Sequence, residues 1–169
     1  MLIKGRVWKF GDNIDTDQMM PQSAFKLPIE EQARSVFKTI RPGWASLVKS
    51  GDMIVAGKNF GIGSSRPAAR VFRFMGIEAI IAESMNGLFF RNCINYGLLA
   101  INVPGVLEQF QEGEVAEVDP RTGMIKNLNT GISLQGPVLP EMLTKIVQAG
   151  GMIELLRKEG CLTPVEQEE

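Results

Sequence analysis

The chain has 169 residues, 18 basic and 19 acidic, for a net charge of −1, with 44% hydrophobic residues. That is enough for one domain with a real core, and too balanced in charge for a nucleic-acid or polybasic membrane surface. It has no histidine and two widely separated cysteines, which excludes a Ser-His-Asp triad, an imidazole-held metal and a Cys₄ zinc or iron–sulfur site built from this chain alone.

In chain order, "IKGRVWKF" alternates and reads as a strand. "GDNIDTD" is dense in turn residues and reads as a loop. "QSAFKLP" reads as an exposed loop. Ile29, Ala33, Val36, Phe37 and Ile40 have helical spacing, which predicts a helix over residues 29–40 with Pro28 just before it. "DMIVAGKNF", 52–60, reads as a buried strand. "RPAARVFRFMG" reads as a helix starting at 65–67 and stopped by Gly76. "IEAIIAES" and "LLAINV" are continuous apolar strands on either side of a second helix, "GLFFRNCINYG". This β-α-β-α-β order over 52–103 predicts parallel strands with right-handed crossovers. "GEVAEVDPRTGMIKNLNTGISLQG" carries "DPRTG" and "NTG" turns and predicts antiparallel hairpins. "LPEMLTKIVQAGGMIELLRKEG" predicts two helices broken at Gly-Gly. The fold class is mixed α/β, in one domain over 1–169, with 165–169 a frayed tail.

The N-terminus lacks the pattern of a signal peptide, and no apolar run approaches a membrane span. The expected location is cytoplasmic, with no membrane or nucleic-acid partner. Cys93 reads as a small buried hydrophobe and Cys161 as a free thiol.

Chemistry concentrates in "GKNFGIGSSRPAARVF", 57–72. Gly61 and Gly63 let a ligand approach the backbone closely. Ser64 or Ser65 suits a helix N-cap, Pro67 the first turn, and Arg66 a two-pronged grip on a carboxylate. The helix end and Arg66 together favour an anion, and would stabilise a serine alkoxide able to take a proton. On spacing alone, a plain strand-to-helix turn with a capping serine and a solvated arginine accounts for the segment equally well. The segment is neither a full GxGxxG nor a P-loop. Asp12, Asp15 and Asp17 in "GDNIDTDQMMP" lack the glycine and distal glutamate of a calcium loop and read as turn formers. Asp17, with Thr16 beside it, is also a candidate to orient a charged group of the site.

Taken together, "GDNIDTDQMMP", "GDMIVAGKNFGIGSSR", "GIEAIIAESMNGLFFRNCINYGLLAI" and the closing "GGMIELLRKEG" resemble the small subunit of 3-isopropylmalate dehydratase and its homoaconitase relatives. The resemblance implies the aconitase-type swivelling β/β/α domain. It also implies a hydro-lyase that moves a hydroxyl between neighbouring carbons of a 2- or 3-hydroxy acid, as in leucine biosynthesis. A large partner subunit is implied to carry a [4Fe–4S] cluster, with none held by this chain. Ser64 is then the proton-abstracting base, and Arg66 binds a substrate carboxylate with Ser65, Gly61 and Gly63 around it. The substrate-selecting loop falls on Ala24, Phe25, Lys26 and Leu27, and cationic Lys26 leans away from an isopropyl substituent. Where the family usually has Glu-His after the arginine, this chain has Pro67 and Ala68, and Ile62 stands for the usual Cys. These departures leave a homoaconitase-like or a methyl- or dimethylmalate-type substrate open. A non-catalytic anion-binding module is the alternative of another class. An exposed docking face could let the isolated chain self-associate.

Overall fold

The computed structural model describes residues 2–63 and 67–162. One sheet of seven strands organises it, in the order β4-β3-β2-β1-β5-β6-β7. The strands are β1 (Ile3–Phe10), β2 (Met53–Ala56), β3 (Ala79–Ala82), β4 (Leu99–Asn102), β5 (Val115–Asp119), β6 (Met124–Asn127) and β7 (Ser133–Gln135). The first four run parallel and the last three join as antiparallel hairpins. The predicted hairpins therefore extend the same sheet rather than standing apart from it. β1 is the hinge of the arrangement: Ile3 to Arg6 pair antiparallel with β5, and Val7 to Phe10 pair parallel with β2.

The continuous apolar runs at β2 and β3 follow from position. Every residue of both is buried, because helices cover both faces of the sheet. On one face Trp8, Phe10, Ile54, Ala56, Ile80 and Ala82 meet the helices α1 (Thr16–Met19), α2 (Ile29–Ser35), α3 (Trp44–Leu47), α4 (Ala68–Phe74) and α5 (Gly87–Asn95). On the other, Val7, Met53, Val55, Ile81, Leu99 and Ile101 meet α6 (Glu141–Ala149), α7 (Met152–Lys158) and a 3₁₀ turn at Val106–Gln109. The Gly-Gly break between the last two helices is as predicted.

Four boundaries differ from the sequence reading. The helix predicted over 29–40 ends at Ser35. Phe37 then takes a left-handed φ of 52° and turns into the core. There its ring lies 4.2 Å from Phe10, 4.9 Å from Trp44 and 5.5 Å from Phe72. Burying that ring is worth more than continuing the helix, and Ile40 is left 37% exposed. The strand predicted over 52–60 ends at Ala56, because the backbone beyond it bonds to two neighbouring loops. The fourth helix starts at Ala68 rather than 65–67, with Pro67 as its cap residue accepting from the Val71 N–H at 3.1 Å. The serines proposed as its cap lie outside the described residues, as does the tail at 165–169. "QSAFKLP" is not all loop: Gln22–Ala24 forms a 3₁₀ turn.

A buried carboxylate secures β1. Asp52, 4% exposed, accepts from Arg6 Nε and Nη2 at 3.1 and 2.6 Å, from Trp8 Nε1 at 2.7 Å and from the Lys49 N–H at 2.9 Å. Two guanidinium groups, those of Arg6 and Arg41, also lie against the Trp8 ring, 4.6 and 4.9 Å from its centre. Burial acts to raise the Asp52 carboxyl, but its donors outweigh that and hold it below the usual carboxylate range. The folded-state value is thus below the unfolded one, about 3.9. The stabilisation is complete above the unfolded value and is lost as pH falls through the folded one. Asp52→Asn should be less stable than wild type at pH 7, and its stability should vary less between pH 6 and pH 3. Urea unfolding at a series of pH values checks this; parallel pH curves for the two proteins would refute it.

Candidate active site

The four parallel strands end level. Phe10 pairs with Ala56, Ala56 with Ala82, and Ala82 with Asn102. Their following loops therefore leave from one edge of the sheet, the edge at which ligands of open α/β sheets bind.

Three of these loops form a second, short ladder above the sheet. The segment 57–63 lies between 11–16 and 84–86. On one side the Asn13 N–H donates to Lys58 O (2.7 Å), the Gly61 N–H to Ile14 O (2.8 Å) and the Thr16 N–H to Ile62 O (2.8 Å). On the other the Phe60 N–H donates to Ser84 O (3.0 Å) and the Asn86 N–H to Phe60 O (2.9 Å). Side chains finish the lacing. Asp12 Oδ1 accepts the Lys58 N–H at 2.8 Å, Asn59 Nδ2 donates to Asn13 Oδ1 at 2.9 Å, and Ser84 Oγ accepts the Asn59 N–H at 2.9 Å. Asn13 and Asn59 both have φ of 57°, a conformation that asparagine tolerates best among residues with a side chain.

The two predicted glycines are needed where they stand. Gly61 has φ of 79°, and a Cβ there would lie 2.3 Å from Phe89 Cγ. Gly63 has φ of 105°, and a Cβ there would lie 3.1 Å from Thr16 Oγ1. Thr16 and Gly63 thus lie side by side. Thr16 is 3% exposed, and Asp17 beside it is exposed in the first turn of α1.

Sequence reading missed α1. Its signal was present, because Asp15 and Gln18 form a capping box. Asp15 Oδ1 accepts the Gln18 N–H at 2.7 Å while Gln18 Oε1 accepts the Asp15 N–H at 3.0 Å. Asp12 and Asp15 are thus both committed to backbone groups, Asp12 to a loop N–H as a turn former and Asp15 to the first turn of α1 as its cap.

Ser64, Ser65 and Arg66 lie outside the described residues. Their chain neighbours are placed: Gly63 against Thr16, and Pro67 at the start of α4. Lys26 is exposed, in the turn between the 3₁₀ segment and α2. Cys93 is fully buried, which pushes its thiol far above the ordinary range, and Cys161 is exposed beyond α7. Among the described residues no three His, Cys, Asp or Glu side chains form a metal-binding group.

The comparisons with known proteins agree with this architecture. Residues 28–105 match the aconitase C-terminal domain. The isopropylmalate/citramalate isomerase small subunit of Methanocaldococcus jannaschii is 47% identical over 161 residues, 94% of this chain and 95% of that protein. The 3-isopropylmalate dehydratase small subunit 1 of Thermotoga maritima is 41% identical over 167 residues, 97% of this chain and all of that protein. A crystal structure of 3-isopropylmalate dehydratase from Methanocaldococcus jannaschii superposes with a TM-score of 0.87 at 35% identity, covering 95% of this chain and 96% of that one. With such identity carried across nearly the full length of both sequences, the chain belongs to the 3-isopropylmalate dehydratase small-subunit family of the aconitase superfamily.

Proposed function

We propose that this chain is the small subunit of a heteromeric hydro-lyase that isomerises an alkyl-substituted malate, of the 3-isopropylmalate dehydratase type used in leucine biosynthesis. It acts as a single domain over 1–169 and is active only with a large partner subunit. The observation that carries the reading is the match in sequence to named dehydratase small subunits over more than nine-tenths of the chain. It is supported by the laced loops at the strand ends, which deliver Gly61 and Gly63 directly before Ser64.

This chain does not itself fit a [4Fe–4S] cluster, since it has two cysteines, one of them fully buried. The cluster is assigned to the large subunit, where an open iron would act as Lewis acid on the substrate hydroxyl. The work of this chain is different. Arg66 holds a substrate carboxylate with two parallel hydrogen bonds, and Ser65 with the Gly61–Gly63 backbone completes that pocket. Ser64 takes the proton from the carbon next to a carboxylate. Asp17 and Thr16 orient the charged groups around them.

Substrate range is the second element. The relative from Methanocaldococcus jannaschii is named for both isopropylmalate and citramalate. That name favours acceptance of a small methyl substituent alongside isopropyl, while the exposed cation at Lys26 leans away from isopropyl and toward a smaller or more polar one.

Co-expression with a large subunit, followed by assay against a panel of malate derivatives, tests the reading. The complex should dehydrate at least one alkylmalate, and the isolated chain should dehydrate none. Turnover by the isolated chain would overturn the need for a large subunit, and a complex inert to the whole panel would overturn the enzymatic reading and leave a non-catalytic anion-binding module.

A further inference from the structure

Among the described residues the buried polar side chains outside the loop ladder include Gln32, Asp52, Asn127 and Thr144, and Gln32 stands out. It lies in the middle of α2 and is 3% exposed, while its neighbours Glu30, Glu31 and Arg34 face solvent. A buried amide in a short helix costs stability unless it is bonded. Its Nε2 donates twice, to Leu27 O at 2.8 Å and to Phe25 O at 3.3 Å. Two carbonyl acceptors fix which end of the amide is the nitrogen. The two carbonyls belong to the residues on either side of Lys26.

The Phe25 N–H donates to Gln22 O at 3.2 Å and the Leu27 N–H to Ala24 O at 3.1 Å, both local turn bonds. Phe25 and Leu27 are each 38% exposed, so packing holds them only in part. Pro28 then opens α2, its carbonyl accepting from the N–H groups of Glu31 and Gln32 at 3.0 Å. The Gln32 amide thus ties the exposed turn to a helix whose far end is anchored by Phe37 in the aromatic core.

We infer that Gln32 is a positioning residue for substrate choice: by holding the carbonyls of Phe25 and Leu27 it fixes where the Lys26 backbone, and hence its cation, stands. This rests on the reading of residues 24–27 as the selecting loop given above.

Two measurements on Gln32→Met, which keeps the side-chain length without the donors, test it separately. The first needs no catalysis. In native full-length chain, trypsin should cut after Lys26 about tenfold faster than in wild type, while cutting after Arg157 and Lys158 is unchanged. An unchanged rate at Lys26 overturns the clamp; an equal rise at all sites shows general loosening and also overturns it. The second uses the complex with the large subunit. The ratio of kcat/KM between isopropylmalate and citramalate should change at least fivefold, carried by KM, with kcat within about twofold for the better substrate. Selective cutting with an unchanged ratio overturns the role in substrate choice. A wild-type complex inert to all malates instead removes the functional reading and leaves the proteolysis result standing. Should Gln32→Met not accumulate, Gln32→Glu, with the same heavy-atom count and no amide donor, replaces it in both arms.

Discussion

Ser64→Ala should abolish nearly all turnover in the reconstituted complex, by about 10³-fold in kcat, within the 10²–10⁴ range for loss of a positioned acid–base group. The physical ground is the weakness of the acid. A C–H bond next to a carboxylate gives up its proton reluctantly, and this chain has no histidine to take it. A serine can do so only where positive charge stabilises its alkoxide, and under the proposed function Arg66, two residues on in sequence, would supply that charge. Removal of one oxygen at Ser64 deletes the base and leaves the surrounding ladder intact, since that ladder is made by residues 11–16, 57–63 and 84–86. Co-elution with the large subunit should therefore be unchanged, and KM should move little. Arg66→Lys offers the complementary result. It keeps the charge but loses the paired hydrogen bonds, so KM should rise more than kcat falls. Turnover by Ser64→Ala within about threefold of wild type would remove Ser64 as the base.

Legibility in the sequence followed the physical origin of each feature. The parallel core was readable because burial on both faces makes β2 and β3 uniformly apolar, a pattern that glycine and helical segments bracket clearly. The hairpins were readable from "DPRTG" and "NTG", whose turn chemistry is local. The helix over 29–40 was overextended because Val36 and Phe37 are apolar for a tertiary reason: Phe37 leaves the helix to join Phe10, Trp44 and Phe72. Spacing alone does not separate those two causes. α1 was legible in principle from Asp15 and Gln18, but a four-residue helix leaves no periodicity to notice. The site divides the same way. Gly61, Gly63 and the serine–arginine run stood out as unusual local composition. The lacing of Asp12, Asn13, Asn59 and Ser84 did not, because those residues are ordinary loop residues until the level strand ends bring them together. Gln32 was invisible for that reason too, as a glutamine outside the apolar set Ile29, Ala33, Val36, Phe37 and Ile40 that marked the helix.

The loop that delivers Ser64 should depend most heavily on Gly61, and Gly61→Ala should lower unfolding free energy by about 2–5 kcal/mol. Two costs add. An alanine in the left-handed region costs about 1–2 kcal/mol. Overpacking of a dense core costs about 1–3 kcal/mol more. The new methyl would lie 2.3 Å from Phe89 Cγ and 2.6 Å from Phe89 Cβ. Phe89 has no room to withdraw: it is 2% exposed and sits edge-on against both Phe60 and Phe72, at 5.7 and 6.5 Å between ring centres. Nor can the backbone rise away freely, since the Gly61 N–H is held by Ile14 O at 2.8 Å. Gly131 provides the control, with the same φ of 79° and nothing within 4 Å of a built Cβ. Gly131→Ala carries the backbone cost alone, so the difference between the two variants isolates the contact with Phe89. Urea unfolding followed by tryptophan fluorescence measures both, because Trp8 and Trp44 are each buried. Phe89→Leu, combined with Gly61→Ala, should recover part of the loss as a favourable coupling in a double-mutant cycle. Equal destabilisation by the two glycine variants would show that Phe89 yields at little cost. A larger loss at Gly61, accompanied by loss of turnover in the assembled complex, would tie the packing of α5 to the placement of the residues that follow Gly63.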